Sequence, residues 1–293
     1  MTKPLAEIPL RGAGGEPVDL ARTLNSHGVA SLPPNRLDGD TLEVTLPVGR
    51  GRARTVTLAP GHRGHARVDG DGSAGEIVPI LRTMLRLDDD LSPFYAVAST
   101  DDDLSWAVAG AGRMLRSATL FEDVVKTICT TNCAWGGTVR MTTALVSELG
   151  PKAPGGGRAF PSPTVMAETD ESFYRDVARA GYRGPYLRSL AASVAEGTTV
   201  LEELEDPELP EDEVAARLLA LPGVGPYAAA HVMTTSLGRY SRLILDSWTR
   251  PTYVRLAGAK RKLADKTIER RFKRYGPYAG LAFWLYLTRD WVN

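Results

Sequence analysis

A short segment near residue 220 interrupts a helical pattern and then restarts it at once. The segment LLALPGVGPYAAAHV (218–232) is rich in leucine and alanine, but Pro222, Gly223 and Gly225 divide it. A proline removes a backbone donor, and glycines permit positive φ angles and leave no side chain to keep another molecule away. We therefore expect a helix, a tight turn and a second helix, with a backbone that another molecule can approach closely.

The backbone amides of this turn are suited to an anion. The amides of Gly223, Val224 and Gly225, together with the N-terminus of the helix beginning near Pro226, can direct several N–H donors at one phosphate. Such a contact is independent of base sequence and suits a protein that works anywhere along a duplex. The alternative is a plain turn between two helices, with the glycines as helix caps.

A carboxylate follows about twenty residues later. In SRLILDSWTRP (241–251), Asp246 comes after an apolar run and before a predicted helix start. One interpretation is an N-cap aspartate, which stabilises a helix by ~1 kcal/mol. The other is a carboxylate that faces positive charge developing on a sugar, and the two interpretations are compatible.

The elements that must position these residues differ between the two parts of the chain. Residues 41–48 and 54–60 alternate apolar and polar side chains around a glycine- and arginine-rich turn, which predicts a hairpin, and we expect a further strand over residues 65–72. Helical periodicity follows, and we predict helices over residues 74–87, 120–149, 172–181, 185–197 and 210–221. The predicted fold is α+β: a small antiparallel sheet domain (1–110) followed by a helical domain with a helix-hairpin-helix motif (111–293).

Composition sets limits on the class of protein. The 293 residues are 43% hydrophobic and 24% charged, and 35 basic residues balance 35 acidic ones, so any contact with a polyanion must be local. Cys129 and Cys133 are too few for a disulfide framework, and we interpret them as reduced packing residues rather than a metal site. The N-terminus has no apolar signal segment. We expect a cytoplasmic monomer that does not contact a membrane.

Several motifs together resemble one family. LPGVGPYAAAHV followed by LILDSWTR is similar to the helix-hairpin-helix, Gly/Pro-rich loop and catalytic aspartate of the DNA glycosylase superfamily that includes 8-oxoguanine glycosylase and bacterial 3-methyladenine glycosylase II. Three further segments resemble the same superfamily: TICTTNCAWGGTVRMTTALVSELG (127–150), AGYRGPYLRSLA (180–191) and RRFKRYGPYAGLAFWLYL (270–287). The resemblance covers roughly residues 120–290, and the N-terminal sheet fits these two branches more loosely.

The resemblance implies an enzyme that flips a damaged base out of duplex DNA. It places Asn132 in the gap left by that base and Tyr182 and Arg183 against the opposite strand. It implies that Asp246 stabilises an oxocarbenium-like sugar and positions the attacking water, with no metal or organic cofactor. Two structural alternatives remain: an Asn132 amide satisfied within its helix, and Tyr182 and Arg183 as a surface packing pair.

One departure from the family pattern indicates the subclass. Members that also cut the strand carry a lysine two residues after the second hairpin glycine, where its amine forms a Schiff base. This chain has Tyr227 there, which favours a monofunctional hydrolase and a base-stacking wall. The alternative for Tyr227 is a hydrophobic anchor for the hairpin.

The damaged base is less clearly indicated. Trp135, Trp248 and Phe121 can line an electron-rich pocket for cationic methylated purines, or they can be core residues. The 8-oxoguanine branch has an arginine shortly after its asparagine, where this chain has Gly137. We favour alkylated purines over oxidised ones. A non-catalytic helix-hairpin-helix DNA-binding protein is the alternative, and an enzyme for a small molecule is a third interpretation.

Overall fold

A five-stranded antiparallel sheet forms the N-terminal part of the computed structural model, which describes residues 3–49 and 51–292. Its strand order is β1-β5-β4-β3-β2. The strands are β1 (Ala6–Pro9), β2 (Asn35–Asp38), β3 (Thr41–Pro47), β4 (Ala53–Pro60) and β5 (His65–Gly70). The predicted hairpin is confirmed as β3 and β4, and β5 is the further strand. Arg50, in the predicted turn, lies outside the described residues.

Alternation of side chains explains which face of the sheet is buried. Leu42, Val44 and Leu46 of β3 are at most 1% exposed, and in the register Val44 lies opposite Val56 and Leu42 opposite Leu58. Because side chains alternate between faces along a strand, these residues form one apolar face. That face packs on the first long helix after the sheet and shares a core with its buried residues.

Twelve α-helices lie within the described residues. They are α1 (Leu20–Leu24), α2 (Ala74–Met84), α3 (Ser92–Ala98), α4 (Leu120–Thr130), α5 (Trp135–Ala144), α6 (Pro163–Glu168), α7 (Arg183–Ala195), α8 (Glu211–Leu219), α9 (Pro226–Thr235), α10 (Thr249–Leu256), α11 (Asp265–Phe272) and α12 (Ala279–Thr288). Short 3₁₀ or π turns occupy Gly28–Ser31, Ser105–Ala109, Leu145–Leu149, Phe173–Val177, Leu201–Glu205 and Lys273–Tyr278. None of the helices in this part of the chain is long and apolar enough to cross a membrane.

Two of the predicted helices differ from the structure. The helix predicted over 120–149 is broken between α4 and α5, because Thr131 is extended and Asn132 has a φ of 46°. The helix predicted over 172–181 is a single π turn at Phe173–Val177. The break after α4 turns Asn132 out of the helix.

A buried ion pair anchors α4, the helix that leads to this break. Lys126 Nζ lies 2.6 Å from Glu122 Oε1, and both side chains are at most 1% exposed. Lys126 Nζ also donates to the carbonyl of Leu32 (3.3 Å), which precedes β2. Burial raises the pKa of the Glu122 carboxyl, and the ammonium of Lys126 opposes this shift. The pair therefore joins α4 to the N-terminal segment.

Three large apolar cores organise the described residues, and a small fourth cluster joins Ala53 to Ala153 and Ala159. One lies under the sheet, one joins the helices from α4 to α9, and a third joins residues 91–114 to residues 240–287. The α+β class is therefore confirmed. The division at residue 110 stays a prediction, and the packing of α3 with the C-terminal helices favours a division nearer residue 90.

Candidate active site

The predicted hairpin joins α8 to α9, and its two glycines have different roles. Gly223 has a φ of 79°, and a Cβ at this position would lie 3.0 Å from Cβ of Tyr186. Gly225 has a φ of −102°, and a Cβ there would meet nothing within 4 Å. Only Gly223 uses the positive φ that the sequence suggested for this turn. The backbone at Gly225 is ordinary and open, so a side chain there fits the free protein.

Two of the three predicted hairpin amides are available to a ligand. The amide of Val224 donates to the carbonyl of Leu221 (3.2 Å), and the Val224 side chain is buried. The amides of Gly223 and Gly225 have no acceptor among the described residues. The first-turn amides of α9 add to them, because the first amides of a helix have no intrahelical partner. An anion can therefore be bound by Gly223, Gly225 and the start of α9, whereas Val224 closes the turn.

Asp246 caps the helix that follows it. Its Oδ1 accepts hydrogen bonds from the amides of Trp248 (2.8 Å) and Thr249 (2.6 Å), while its own amide donates to Oγ1 of Thr249 (2.8 Å). The N-cap interpretation is therefore confirmed. The second oxygen, Oδ2, has no donor among the described residues. The cap thus fixes the carboxylate and leaves one oxygen available.

A single cavity of about 900 Å³ brings most of the predicted residues together. Its lining includes Asn132, Tyr182, Gly223, Gly225, Tyr227 and Asp246. These residues come from the break after α4, the start of α7, the hairpin and the segment before α10. The cavity is open to solvent, and the residues that carry the free amides and the free carboxylate oxygen, Gly223, Gly225 and Asp246, share the same lining.

Tyr227 lies between the cavity and the interior. Its ring packs against two of the apolar cores, and its Oη accepts a hydrogen bond from Oγ1 of Thr130 at 3.4 Å. Burial raises the pKa of the Tyr227 phenol, and the negative charge of Asp246 raises it further. Tyr227 therefore presents a neutral aromatic ring to the cavity. The ring lines the cavity and anchors the hairpin, whereas its stacking against a base stays a prediction.

Asn132 and Tyr182 form a polar pair at the cavity's edge. Asn132 Nδ2 donates to Oη of Tyr182 at 3.2 Å, and Tyr182 is 53% exposed. Because Asn132 lies in the break after α4, its amide is not satisfied within a helix, and that alternative is wrong. Both side chains are accessible to a ligand at the cavity.

Arg183 occupies a different position from its predicted partner. Its side chain is only 6% exposed, with the guanidinium 4.5 Å from the ring centre of Tyr182. The guanidinium donates to the carbonyls of Thr131 and Ala180. In this structure Arg183 holds the backbone before Asn132 and does not offer its charge to solvent. The sequence did not indicate this role, because the contact with Thr131 spans about fifty residues.

Comparisons with known proteins were made for both sequence and fold. No protein-family model matches the chain. A Bacillus subtilis protein, provisionally named DNA-3-methyladenine glycosylase YfjP, is 24% identical over 214 residues, which are 71% of this chain and 73% of that protein. The N-glycosylase/DNA lyase OGG1 of Arabidopsis thaliana is 36% identical over 134 residues, which are 42% of this chain and 36% of the plant protein.

Two solved structures share the whole fold. The 3-methyladenine DNA-glycosylase of Archaeoglobus fulgidus has a TM-score of 0.76 at 20% identity, over 98% of this chain and 100% of its own. MBOgg1, solved in complex with a low-affinity DNA ligand, has a TM-score of 0.73 at 22% identity, over 94% and 93% of the two chains. The relatives and structural neighbours of this chain are helix-hairpin-helix DNA glycosylases. The resemblance predicted from the sequence is confirmed.

The two tryptophans predicted for a glycosylase base pocket do not line the Asp246 cavity. Trp135 is 47% exposed and lies beside Gly28, where a Cβ would be 3.4 Å from its ring. Trp248 is 39% exposed and packs against Trp284 and Trp291, with ring centroids 5.8 and 5.5 Å apart. Their role against a base stays a prediction. Phe121, the third aromatic residue considered for this pocket, is buried in the helical core.

Of the other reactive side chains near the hairpin, Cys129 and His231 are buried, whereas Cys133 is exposed and lines the Asp246 cavity, so only Cys129 is the packing residue that the sequence predicts. Burial raises the pKa of the Cys129 thiol to about 12, and Cys133 Sγ donates to the Cys129 carbonyl at 3.2 Å. Burial lowers the pKa of His231 to about 3, so that its ring is neutral. Within residues 3–49 and 51–292, no group of three or more His, Cys, Asp or Glu side chains is placed to hold a metal ion. The expectation of no cofactor stays a prediction.

Proposed function

We propose that this protein is a monomeric DNA glycosylase of base excision repair. It hydrolyses the N-glycosidic bond of a flipped-out damaged purine in duplex DNA. The observation that carries the proposal is the carboxylate of Asp246, which is fixed through Oδ1 and free at Oδ2 on a cavity that also holds the hairpin amides. A phosphate held at Gly223 and Gly225 would bring a nucleotide's sugar to the same cavity.

Asp246 acts on the sugar rather than on the base. As the bond between C1′ and the base nitrogen breaks, the electron pair leaves with the base and positive charge develops on the sugar. The carboxylate stabilises that charge and orients a water whose oxygen bonds to C1′, and the proton released by the water passes to the carboxylate or to solvent. Asn132 and Tyr182, which line the same cavity, hold the gap in the duplex.

Hydrolysis without strand cleavage is the second part of the proposal. A lyase step requires an amine that can form an imine with the sugar. Among the described residues, no lysine lines the Asp246 cavity, and Tyr227 occupies the position where bifunctional relatives have their lysine. Water is therefore the nucleophile that this site supports, and the product is an abasic site with an intact strand.

An alkylated purine is the substrate class that we favour, with an oxidised purine second. A purine alkylated on a ring nitrogen is cationic and leaves as a neutral molecule, so its departure needs no general acid. Of the two phenols on the lining, burial raises the pKa of Tyr227, which makes it a poor acid near neutral pH. Burial also acts to raise the pKa of Tyr182, but its hydrogen bond with Asn132 contributes to a net lowering, and its hydroxyl is engaged in that bond. The 3-methyladenine names of the Bacillus relative and the Archaeoglobus neighbour also support this choice.

Asp246→Asn tests the proposal without disturbing the helix cap. An asparagine oxygen can accept the same two amide hydrogen bonds, so we expect the variant to fold and to bind lesion DNA. Loss of the charge should lower the single-turnover rate of base release by ~10²–10³, because one preorganised transition-state contact is removed. The measurement is free-base release from a panel of duplexes that carry different lesions. Asp38→Asn, at the exposed end of β2, is the charge-matched control.

Two outcomes would contradict the proposal in different ways. Wild-type rates in Asp246→Asn would remove Asp246 from the mechanism. Binding of duplex DNA without base release from any lesion would favour the non-catalytic helix-hairpin-helix protein instead.

A further inference from the structure

A second cavity of about 900 Å³ lies beside the Asp246 cavity. It is bounded by α8 and α9, the two helices of the hairpin, and by α11. Three basic residues of α11 and the turn after it line it: Lys266, Arg270 and Lys273. Their spacing of four and three residues places them on one face of the helix, in a row about 10 Å long. We name this second cavity the basic cleft.

The charges of this row are uncompensated. Lys266, Arg270 and Lys273 are exposed and have no ion pair among the described residues. Two carboxylates line the cleft: Asp265, which is paired with Arg250, and Glu269. The other two arginines of the cleft, by contrast, are neutralised. They form ion pairs with carboxylates, Arg242 with Asp212 at 2.7 Å and Arg250 with Asp265 at 2.8 Å.

The surrounding sequence is also basic. Residues 260–274 contain eight lysines and arginines against two acidic residues, in a chain whose formal net charge is zero. This segment therefore carries an excess of six formal positive charges, eight minus two. A cluster of this kind repels itself unless an anionic partner neutralises it.

The basic cleft is continuous with the proposed site. Pro226, Tyr227, Leu245 and Arg250 line both cavities. A duplex strand held at the hairpin amides can therefore continue into the cleft without leaving the surface. Phosphates of one strand are spaced ~3.4 Å along the helix axis, so a row about 10 Å long faces about three of them.

We propose that the basic cleft binds the phosphate backbone of the duplex beside the damaged nucleotide. This inference rests on the proposed function and assigns it a second contact with DNA, separate from the hairpin. The linear arrangement of three unpaired cations fits a strand better than a single small anion, which would be held by donors converging on one point. Lys266, Arg270 and Lys273 then contribute affinity that is independent of the lesion and of base sequence.

The triple variant Lys266→Gln, Arg270→Gln and Lys273→Gln tests this inference. Each phosphate contact contributes about 0.9 to the slope of log Kd against log salt concentration, so the slope should fall by about 2 to 3 on a lesion-containing duplex. The control removes the same charge from the sheet region, with Lys3→Gln, Arg36→Gln and Arg63→Gln, and should leave the slope unchanged. Arg270→Gln alone should lower the slope by about 1. This single variant provides the test if the triple variant does not fold.

The outcomes separate the inference from the proposed function. An unchanged slope in Arg270→Gln and in a folded triple variant overturns the basic cleft as a DNA contact and leaves the proposed function intact. Saturable binding of inorganic phosphate that the triple variant loses, with an unchanged duplex slope, assigns the cleft to a small anion and also overturns the inference. Absence of duplex binding by the wild-type protein overturns both proposals.

Discussion

The Asp246 cavity has two walls that are built in different ways. The hairpin wall, residues 222–226, presents backbone amides. Its shape comes from the positive φ of Gly223 and from the hydrogen bond that the Val224 amide donates to the Leu221 carbonyl. The opposite wall, residues 131–134, presents the Asn132 side chain, and a guanidinium about fifty residues later in the chain holds its backbone. The first wall depends on local conformation and the second on a tertiary contact.

This difference determines how each wall should respond to substitution. A substitution in the hairpin should act directly on a phosphate, because the phosphate is proposed to contact the hairpin backbone itself. A change in the opposite wall acts either at the DNA, through Asn132, or on the support beneath it, through Arg183. Variants in each wall can therefore distinguish loss of phosphate binding from loss of the Asn132 contact and from loss of the support for its backbone.

The hairpin should give the largest effect among these variants. Gly225→Val leaves the free protein unstrained, since its backbone is extended and a Cβ there meets open space, but the side chain blocks an approaching phosphate. A hydrogen bond to a charged group contributes ~1.5–3 kcal/mol, so we expect duplex binding to weaken by about 10- to 100-fold. Binding isotherms on damaged and undamaged duplexes should show the same loss.

Gly223→Ala is the contrasting control in the same turn. Its φ of 79° strains an alanine, and the new Cβ would approach Tyr186, so its free energy of unfolding should fall by ~1–3 kcal/mol. Denaturant titrations distinguish the two variants. If Gly225→Val is as stable as wild type and binds duplex equally well, the hairpin is a structural turn.

The opposite wall should give a smaller effect that depends on the substrate. Asn132→Ala removes the group that we propose fills the gap in the duplex, so base release from a fully paired duplex should slow by about tenfold. A bulged substrate, in which unstacking is already partly accomplished, should be affected less. Single-turnover rates on the two substrates measure this difference.

Arg183→Met tests whether Arg183 supports the backbone before Asn132 or contacts the DNA itself. Methionine keeps much of the apolar side chain but removes the donors to Thr131 and Ala180, so the loop loses its anchor on either substrate. We expect equal losses on paired and bulged DNA and a lower melting temperature. A loss confined to paired DNA, with unchanged stability, would instead mean that Arg183 leaves its buried position and contacts the opposite strand.

The same contrast explains what the sequence could predict. The hairpin, the cap at Asp246 and the β3–β4 pair were predicted because each depends on residues close together in the chain. Proline and glycine mark the turn, aspartate marks the helix start, and alternation marks the strands. Resemblance to the glycosylases relates Asn132, Tyr182 and Asp246 to one site although they lie far apart in the chain.

Tertiary contacts account for what was missed. Sequence alone does not indicate that Arg183 reaches the carbonyl of Thr131, or that Trp248 packs on Trp284 and Trp291 instead of lining the cavity. The basic segment was visible in the sequence, but its position beside the hairpin helices depends on how α11 packs. Gly225 was expected to share the role of Gly223, because a residue type does not determine which φ a given turn requires.

Tyr227 should give the smallest effect, because the proposed mechanism uses its ring and not its hydroxyl. The hydroxyl only accepts a long hydrogen bond from Thr130, and its raised pKa keeps the phenol protonated near neutral pH. Tyr227→Phe should therefore keep base release within about threefold of wild type and should leave its pH profile between pH 6 and 9 unchanged, since no proton is lost from the phenol in that range.

Borohydride added during turnover should trap no protein–DNA adduct with the wild-type protein or with Tyr227→Phe. Tyr227→Lys places an amine at the same position and tests whether an imine can be trapped there. An adduct with the wild-type protein, together with strand breaks that appear without alkali, would show that another amine reaches the sugar and that the Asp246 cavity also has lyase activity.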